Sequence, residues 1–171
     1  MTVLDILDER IVDLDMDVKS KDEAIRRLSA HLKEVGYIAD VDEFVSDIYQ
    51  RESEGRTGIG EGVAIPHGKS DSVKNLGIAV GRCRRAVAWE SLDGKPVDII
   101  FLFCISKNKY DAQHLKTIGD LAARLGRGNT IAKLRAMRTF SDLLEAFEDC
   151  PQVSARDMEE LSEDIDIKIQ N

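Results

Sequence analysis

Apolar and polar positions follow two different periods along the first third of the chain. Residues 11–18 place an apolar side chain at every second position, which predicts a strand with one buried face. From Ser20 the apolar spacing becomes that of a helix. Ser20 and Glu23 have the spacing of a capping box, and Gly36 stands where a C-terminal cap is expected. Asp40 opens a second helix with the same kind of signal.

The middle of the chain combines a loop with several strands. Residues 53–62 are rich in Gly, Ser, Glu and Thr, which predicts a loop. Strands are predicted after it at 63–65, where Pro66 ends the strand, and at 76–80, 86–89 and 97–105. The last of these is almost wholly apolar, so we expect a central strand buried on both faces.

Helical spacing dominates the final part of the chain. Asp111, Asn129 and Ser141 are each placed to open a helix. Helical and strand patterns therefore alternate, which predicts an α/β fold: one layered domain over residues 1–150 with a mixed β-sheet flanked by helices. The acidic segment 151–171 has weak helical spacing, and a docked helix, a linker stub and a disordered end stay open for it.

Composition narrows the class of protein. The 171 residues are 43% apolar, enough for an ordinary core, and carry 24 basic against 32 acidic side chains. The net charge of −8 argues against nucleic acid as the main partner. The longest apolar run, 99–105, is too short to cross a bilayer, so we expect a cytoplasmic protein without membrane insertion.

The three cysteines are poorly placed for chemistry. Cys83, Cys104 and Cys150 lie far apart and lack C-x-x-C spacing, which disfavours a disulfide framework or a zinc site. Cys104 stands inside the apolar run and is expected to be a core residue.

The segment with the strongest chemical signal is a glycine-rich loop that leads into Pro66-His67-Gly68. Pro66 fixes its own φ, and Gly68 allows a sharp turn and a close approach of another group. We therefore expect His67 at a strand end, beside loop amides that could face an anion.

Spacing tests exclude two kinds of nucleotide site. Both a Walker loop and a dinucleotide fingerprint need a small residue where Val63 stands. A phosphate site around a nucleophilic histidine is compatible with the spacing, since neutral imidazole is a competent nucleophile and phosphoryl transfer needs hydrogen-bond donors for the phosphate oxygens. Arg51, Thr57 and a second histidine are candidate donors. His31 is expected to be structural. His114 stands four residues before Ile118, which places it on the buried side of its helix or at the edge of that side, and it could be either a core or a site histidine.

Three segments resemble a known family. Residues 51–70, R-E-S-E-G-R-T-G-I-G-E-G-V-A-I-P-H-G-K-S, resemble the phosphohistidine signature of the fructose–mannitol type IIA components of the bacterial sugar phosphotransferase system. W-E-S-L-D-G-K-P-V-D-I-I-F-L-F from Trp89 and H-L-K-T-I-G-D-L-A-A-R-L from His114 follow in the family's order. The resemblance covers roughly residues 3–148. Arg56 departs from it, since many relatives have a small hydroxyl residue there.

The resemblance implies a mannitol-IIA-like fold and a phosphoryl carrier, a phosphotransferase component without metal or organic cofactor. It implies that His67 accepts the phosphoryl group on its tele nitrogen from the histidine-containing phosphocarrier protein. His67 then passes the group to a cysteine of a IIB domain, whose permease includes a membrane IIC domain. His114 and Arg51 would stabilise the group, and Thr57, Gly68 and Lys69 are expected to bind phosphate.

Two other functions stay open beside the fructose-type sugar carrier. One is a regulator of the nitrogen-related branch with the same fold, and the other is a non-catalytic binding or regulatory module. The chain is expected to be either a separate IIA subunit or a domain of a larger permease. The sugar cannot be read from it, because specificity lies mainly in the IIC domain.

Overall fold

The computed structural model describes residues 2–108 and 112–148. The expected cap at Asp111, Cys150 and the segment 151–171 lie outside these residues. The helices are α1 (Val3–Ile6), α2 (Lys21–Val35), α3 (Val41–Glu52), α4 (Ala112–Leu125), α5 (Thr130–Ala136) and α6 (Phe140–Glu148). The strands are β1 (Leu7–Met16), β2 (Gly58–Gly60), β3 (Val63–Ala64), β4 (His67–Ser70), β5 (Gly77–Val87) and β6 (Val97–Ser106).

The strands form one mixed sheet in the order β1-β5-β6-β3-β2, and β4 also pairs with β6. β5 is antiparallel to β6, whereas β3 and β4 run parallel to it. β6 is therefore hydrogen-bonded on both edges. Its apolar composition predicted this central place, and the prediction is confirmed.

Side chains of β6 alternate between two cores. Ile100, Leu102 and Cys104 pack with α2 and α3 on one face of the sheet. Phe101 and Phe103 belong to the opposite core, which α1, α4, α5 and α6 cover. The expected mixed sheet flanked by helices is thus confirmed. None of the helices among the described residues combines the length and apolar character needed to cross a membrane.

The cap residues act as the sequence indicates, except that the capping box at Ser20 is incomplete: Glu23 Oε2 accepts from the Lys19 amide at 2.9 Å instead of the Ser20 amide. The Ser20 hydroxyl accepts a hydrogen bond from the Glu23 amide at 3.1 Å, and the Asp40 carboxylate accepts one from Glu43 at 2.9 Å. Gly36 ends α2 with φ at 97°, a left-handed conformation that glycine adopts without steric cost.

Three element predictions need correction. Residues 76–80 and 86–89 do not form separate strands, because β5 runs unbroken through the polar stretch between them. Arg84 in that stretch links β5 to β1, because its guanidinium donates hydrogen bonds to both carboxylate oxygens of Asp15. The loop 53–62 contains β2, and α6 starts before Ser141, with Thr139 capping it through the amide of Asp142.

A buried ion pair on α4 joins both ends of the described chain. The Asp120 carboxylate accepts hydrogen bonds from the Val3 amide at 2.8 Å and from Arg124 Nε at 3.0 Å. Arg124 Nη1 also donates to the carbonyl oxygen of Phe147 at 2.6 Å. Both side chains are about 95% buried or more. From the sequence, this i, i+4 pair is indistinguishable from an exposed helical pair.

Candidate functional site

His67 stands at an interruption in the sheet rather than at a turn. Pro66 has no N–H to donate, so β3 stops at Ala64 and pairing with β6 resumes at His67, which lies opposite Phe103. Gly68 is part of β4, so the sharp turn expected there is absent. His67 therefore begins a strand instead of ending one.

Gly68 serves a close approach between α3 and β4. A Cβ atom on Gly68 would lie 2.8 Å from Cδ1 of Ile48 and 3.2 Å from its backbone nitrogen. The missing side chain lets the helix pack directly on the strand. This contact brings the C-terminal turn of α3, which carries Arg51, next to His67.

Two hydrogen bonds define the state of the His67 ring. Nδ1 lies 3.0 Å from the carbonyl oxygen of Ile65, which can only accept, so Nδ1 carries a proton. Nε2 accepts a hydrogen bond from Arg51 Nε at 3.1 Å, so Nε2 carries none. The ring is thus the neutral Nδ1–H tautomer. Its unprotonated nitrogen, the tele position, is directed at a guanidinium.

The pair borders a cleft of about 310 Å³ between α3, β4 and α4. Its lining combines basic, acidic and apolar side chains: Asp47, Gln50, Arg51, Glu54, His67, Gly68, Lys69, Ile105, Lys107, Leu115 and Ile118. Gly68 and the exposed Lys69 follow His67 in the chain and line the same cleft, and their phosphate-binding role stays a prediction. The volume is ample for a phosphoryl group on Nε2.

His114 lies in the first turn of α4, immediately before the cleft residue Leu115. Only 8% of it is exposed. The expectation that it falls on the buried side of its helix is confirmed. Its place in the chain brings it near the cleft, and its role in transfer stays a prediction.

Thr57 is not brought to the cleft. It is fully buried, and its hydroxyl donates to Glu52 Oε1 at 2.5 Å and accepts from Trp89 Nε1 at 3.0 Å. The hydroxyl is therefore engaged elsewhere and does not face His67. Sequence reasoning assigned Thr57 to phosphate and overlooked Glu52, although Glu52 directly follows Arg51 in the R-E pair.

Metal-ligating side chains are not clustered among residues 2–108 and 112–148. No group of three or more His, Cys, Asp or Glu side chains there could hold a metal ion. The cysteines in these ranges, Cys83 and Cys104, are free and buried. Burial raises the pKa of Cys83 to about 11 and that of Cys104 to about 12, so both stay protonated thiols at neutral pH.

We expect Cys83 and Cys104 to be dispensable for phosphoryl transfer. The double variant Cys83→Ala/Cys104→Ala should keep a transfer rate within about twofold of the wild type, because a protonated thiol is a poor nucleophile. Radiolabel uptake on the folded protein measures this. A variant with wild-type circular dichroism and no uptake would contradict the expectation.

Comparison with known proteins agrees with this geometry. The family model "Phosphoenolpyruvate-dependent sugar phosphotransferase system, EIIA 2" matches residues 5–150. The 2-O-alpha-mannosyl-D-glycerate-specific EIIABC component of Escherichia coli is 35% identical over 131 residues, which are 76% of this chain and 20% of that protein. This chain thus spans about a fifth of that relative.

Two solved structures share the fold. The nitrogen regulatory protein IIA-Ntr from Neisseria meningitidis has a TM-score of 0.74 and 31% identity, covering 84% of this chain and 97% of that one. Mannitol IIA from Escherichia coli has a TM-score of 0.69 and 22% identity, covering 82% and 98%. The mannitol-IIA-like fold is therefore confirmed. With the family match extending over most of its length, this chain belongs to the EIIA 2 family of the phosphoenolpyruvate-dependent sugar phosphotransferase system.

Proposed function

We propose that this chain carries a phosphoryl group on Nε2 of His67. The donor would be the histidine-containing phosphocarrier protein, and the acceptor a cysteine in the IIB domain of a fructose-type sugar permease, both met in the cytoplasm. The observation that supports this best is the unprotonated Nε2 beside Arg51, at the edge of a cleft that could receive a phosphoryl group.

The transfer is a displacement at phosphorus. Nε2 forms a bond to phosphorus as the bond to the donor's imidazole nitrogen breaks in line with it. The ring gains positive charge, and the hydrogen bond from Nδ1–H to the Ile65 carbonyl stabilises that charge. When a IIB thiolate attacks the same phosphorus, the bond to Nε2 breaks and His67 returns to its neutral tautomer.

Arg51 has two partners in this scheme. Before transfer the Arg51 Nε–H donates a hydrogen bond to His67 Nε2. After transfer the phosphoryl group is bonded to Nε2 and lies between this nitrogen and the guanidinium. The guanidinium can then donate to the phosphoryl oxygens, whose charge approaches −2. Lys69 and Lys107 at the rim add positive charge, and we assign a similar donor role to His114.

We expect Arg51→Ala and His114→Ala to fold but to transfer the phosphoryl group slowly. Losing one hydrogen bond to a charged acceptor should lower the single-turnover rate by roughly 10- to 150-fold. Arg51→Lys should give an intermediate rate, since it keeps charge without the planar guanidinium. Rate and melting temperature are measured on the same sample. A His114→Ala protein with a lower melting temperature and a wild-type rate would return His114 to a packing role.

A nitrogen-branch regulator is the second candidate, and the likeness to IIA-Ntr at 31% identity favours it. The sugar carrier, the regulator and a non-catalytic module are separated by reconstitution. The mixture contains phosphoenolpyruvate, the enzyme that phosphorylates the phosphocarrier protein from it, the phosphocarrier protein and a panel of IIB domains. Label that reaches a IIB cysteine supports the sugar carrier. Label that stops at His67 across the panel supports the regulator, and no label at all supports a non-catalytic module.

A further inference from the structure

At the C-terminal end of α3, four side chains form a compact polar network. The Thr57 hydroxyl joins Glu52 Oε1 to the Trp89 indole, and Glu52 Oε2 accepts a hydrogen bond from Lys21 Nζ at 2.6 Å. Only 6% of the Glu52 side chain is exposed. We call the direct Glu52–Thr57 contact the clamp. The Lys21 ammonium balances the buried carboxylate. It also pairs with the Glu90 carboxylate at 2.6 Å and lies 5.0 Å from the centre of the Trp89 ring.

Through Glu52, the clamp restrains Arg51. Glu52 follows Arg51 in the last turn of α3, a place where helices commonly fray. The clamp joins Glu52 to Thr57 and so closes the loop 53–56 between them. Arg51 Nη1 lies 3.4 Å from the Gly55 carbonyl oxygen within that loop. Holding the loop ends together therefore restrains both the backbone and the guanidinium of Arg51.

Through Thr57, the clamp is connected to His67. The Thr57 carbonyl accepts a hydrogen bond from the Ile65 amide at 3.0 Å. The Ile65 carbonyl in turn accepts from His67 Nδ1 at 3.0 Å. Thr57 thus binds Glu52 through its side chain. Through its main chain it binds Ile65, the residue whose carbonyl oxygen orients His67. The two partners of the Arg51–His67 hydrogen bond are both anchored to one buried threonine.

We propose that Glu52 and Thr57 are positioning residues that set the geometry of Arg51 and His67 from both sides, an inference that rests on the proposed function. Neither lines the cleft beside His67. Their effect is on alignment, because in-line displacement is sensitive to small shifts of the nucleophile and its donors. This explains why the family-like threonine is buried away from the phosphate position that the sequence suggested.

Paired variants of Thr57 test the clamp. Thr57→Val keeps the shape of the side chain without the hydroxyl, whereas Thr57→Ser keeps the hydroxyl. We expect Thr57→Val to lower the single-turnover transfer rate about tenfold with little change in donor KM, and Thr57→Ser to restore most of the rate. The second readout, which needs no partner protein, is the ¹⁵N spectrum of the His67 imidazole. It should report the Nδ1–H tautomer in wild type and Thr57→Ser, and a tautomer mixture in Thr57→Val.

Ser29→Ala is the matched control. Ser29 is also fully buried, and its hydroxyl donates to the Ile25 carbonyl at 2.7 Å within α2, away from the cleft. We expect its melting temperature to change little, since a hydroxyl bonded to the carbonyl of its own helix adds little stability, and the transfer rate and the His67 spectrum to stay unchanged. Should Thr57→Val not fold, Glu52→Ala is measured in the same way, since it removes the Oε1 acceptor of the clamp and leaves Lys21 paired with Glu90. The same lower rate and tautomer mixture are expected.

The transfer rate and the ¹⁵N spectrum of His67 test the positioning role and the proposed function separately. A Thr57→Val protein with the rate and tautomer of the wild type and of Ser29→Ala, whatever its stability, would overturn the positioning role. If wild-type protein accepts no label, the proposed function fails. The imidazole spectra of the Thr57 pair then decide alone whether the clamp orients His67.

Discussion

His67→Ala should abolish phosphoryl acceptance while leaving the fold intact. His67 is only partly buried at the start of a short strand, so removing its ring exposes no large core surface. Among the described residues that line the cleft, His67 supplies the imidazole, and no thiol is present. We therefore expect the rate of radiolabel transfer from the phosphocarrier protein to fall by ~10⁴-fold or more, the loss typical of removing a nucleophile.

His31→Ala is the control for this experiment. His31 lies in α2 and contacts the Asp13 carboxylate at 3.2 Å, on a surface away from the cleft. It should be labelled like the wild type. Equal labelling of His67→Ala and wild-type protein would show that the acceptor is another residue.

The largest loss of stability is expected from Arg124→Ala. Its removal leaves the Asp120 carboxylate buried without a counter-charge and the Phe147 carbonyl without its donor. Breaking a buried pair from one side costs about 3–5 kcal/mol, because the remaining charge has lost its solvent. Urea unfolding followed by circular dichroism measures the change in free energy of unfolding.

An exposed pair on α2 has the same spacing and supplies the comparison. Arg26 Nε lies 3.0 Å from Asp22, as Arg124 Nε does from Asp120, but 49% of the Arg26 side chain is exposed. Arg26→Ala should cost at most about 1 kcal/mol, since water solvates the charge left behind. Similar small losses for both variants would mean that the α4 pair does not hold the chain ends.

Several helices and strands could be predicted from the sequence because the interactions that define them join residues close together in the chain. The caps of α2 and α3 join residues three apart, and the apolar run of β6 records burial on both of its faces. Strand limits were less readable. β5 continues through polar residues because its main chain pairs with the neighbouring strands β1 and β6, and no local pattern announces those partners.

The candidate site divides in the same way. The glycine-rich loop and Pro66 predicted His67 as the candidate nucleophile, and the spacing of His114 predicted its burial. The fold alone shows that Gly68 is a packing contact for α3, that Arg51 bonds to Nε2, and that Thr57 contacts Glu52 and Trp89 instead of the cleft. These contacts join residues 5 to 32 positions apart. Which groups meet over such separations depends on how α3 packs on the sheet, so periodicity and motif spacing do not encode them.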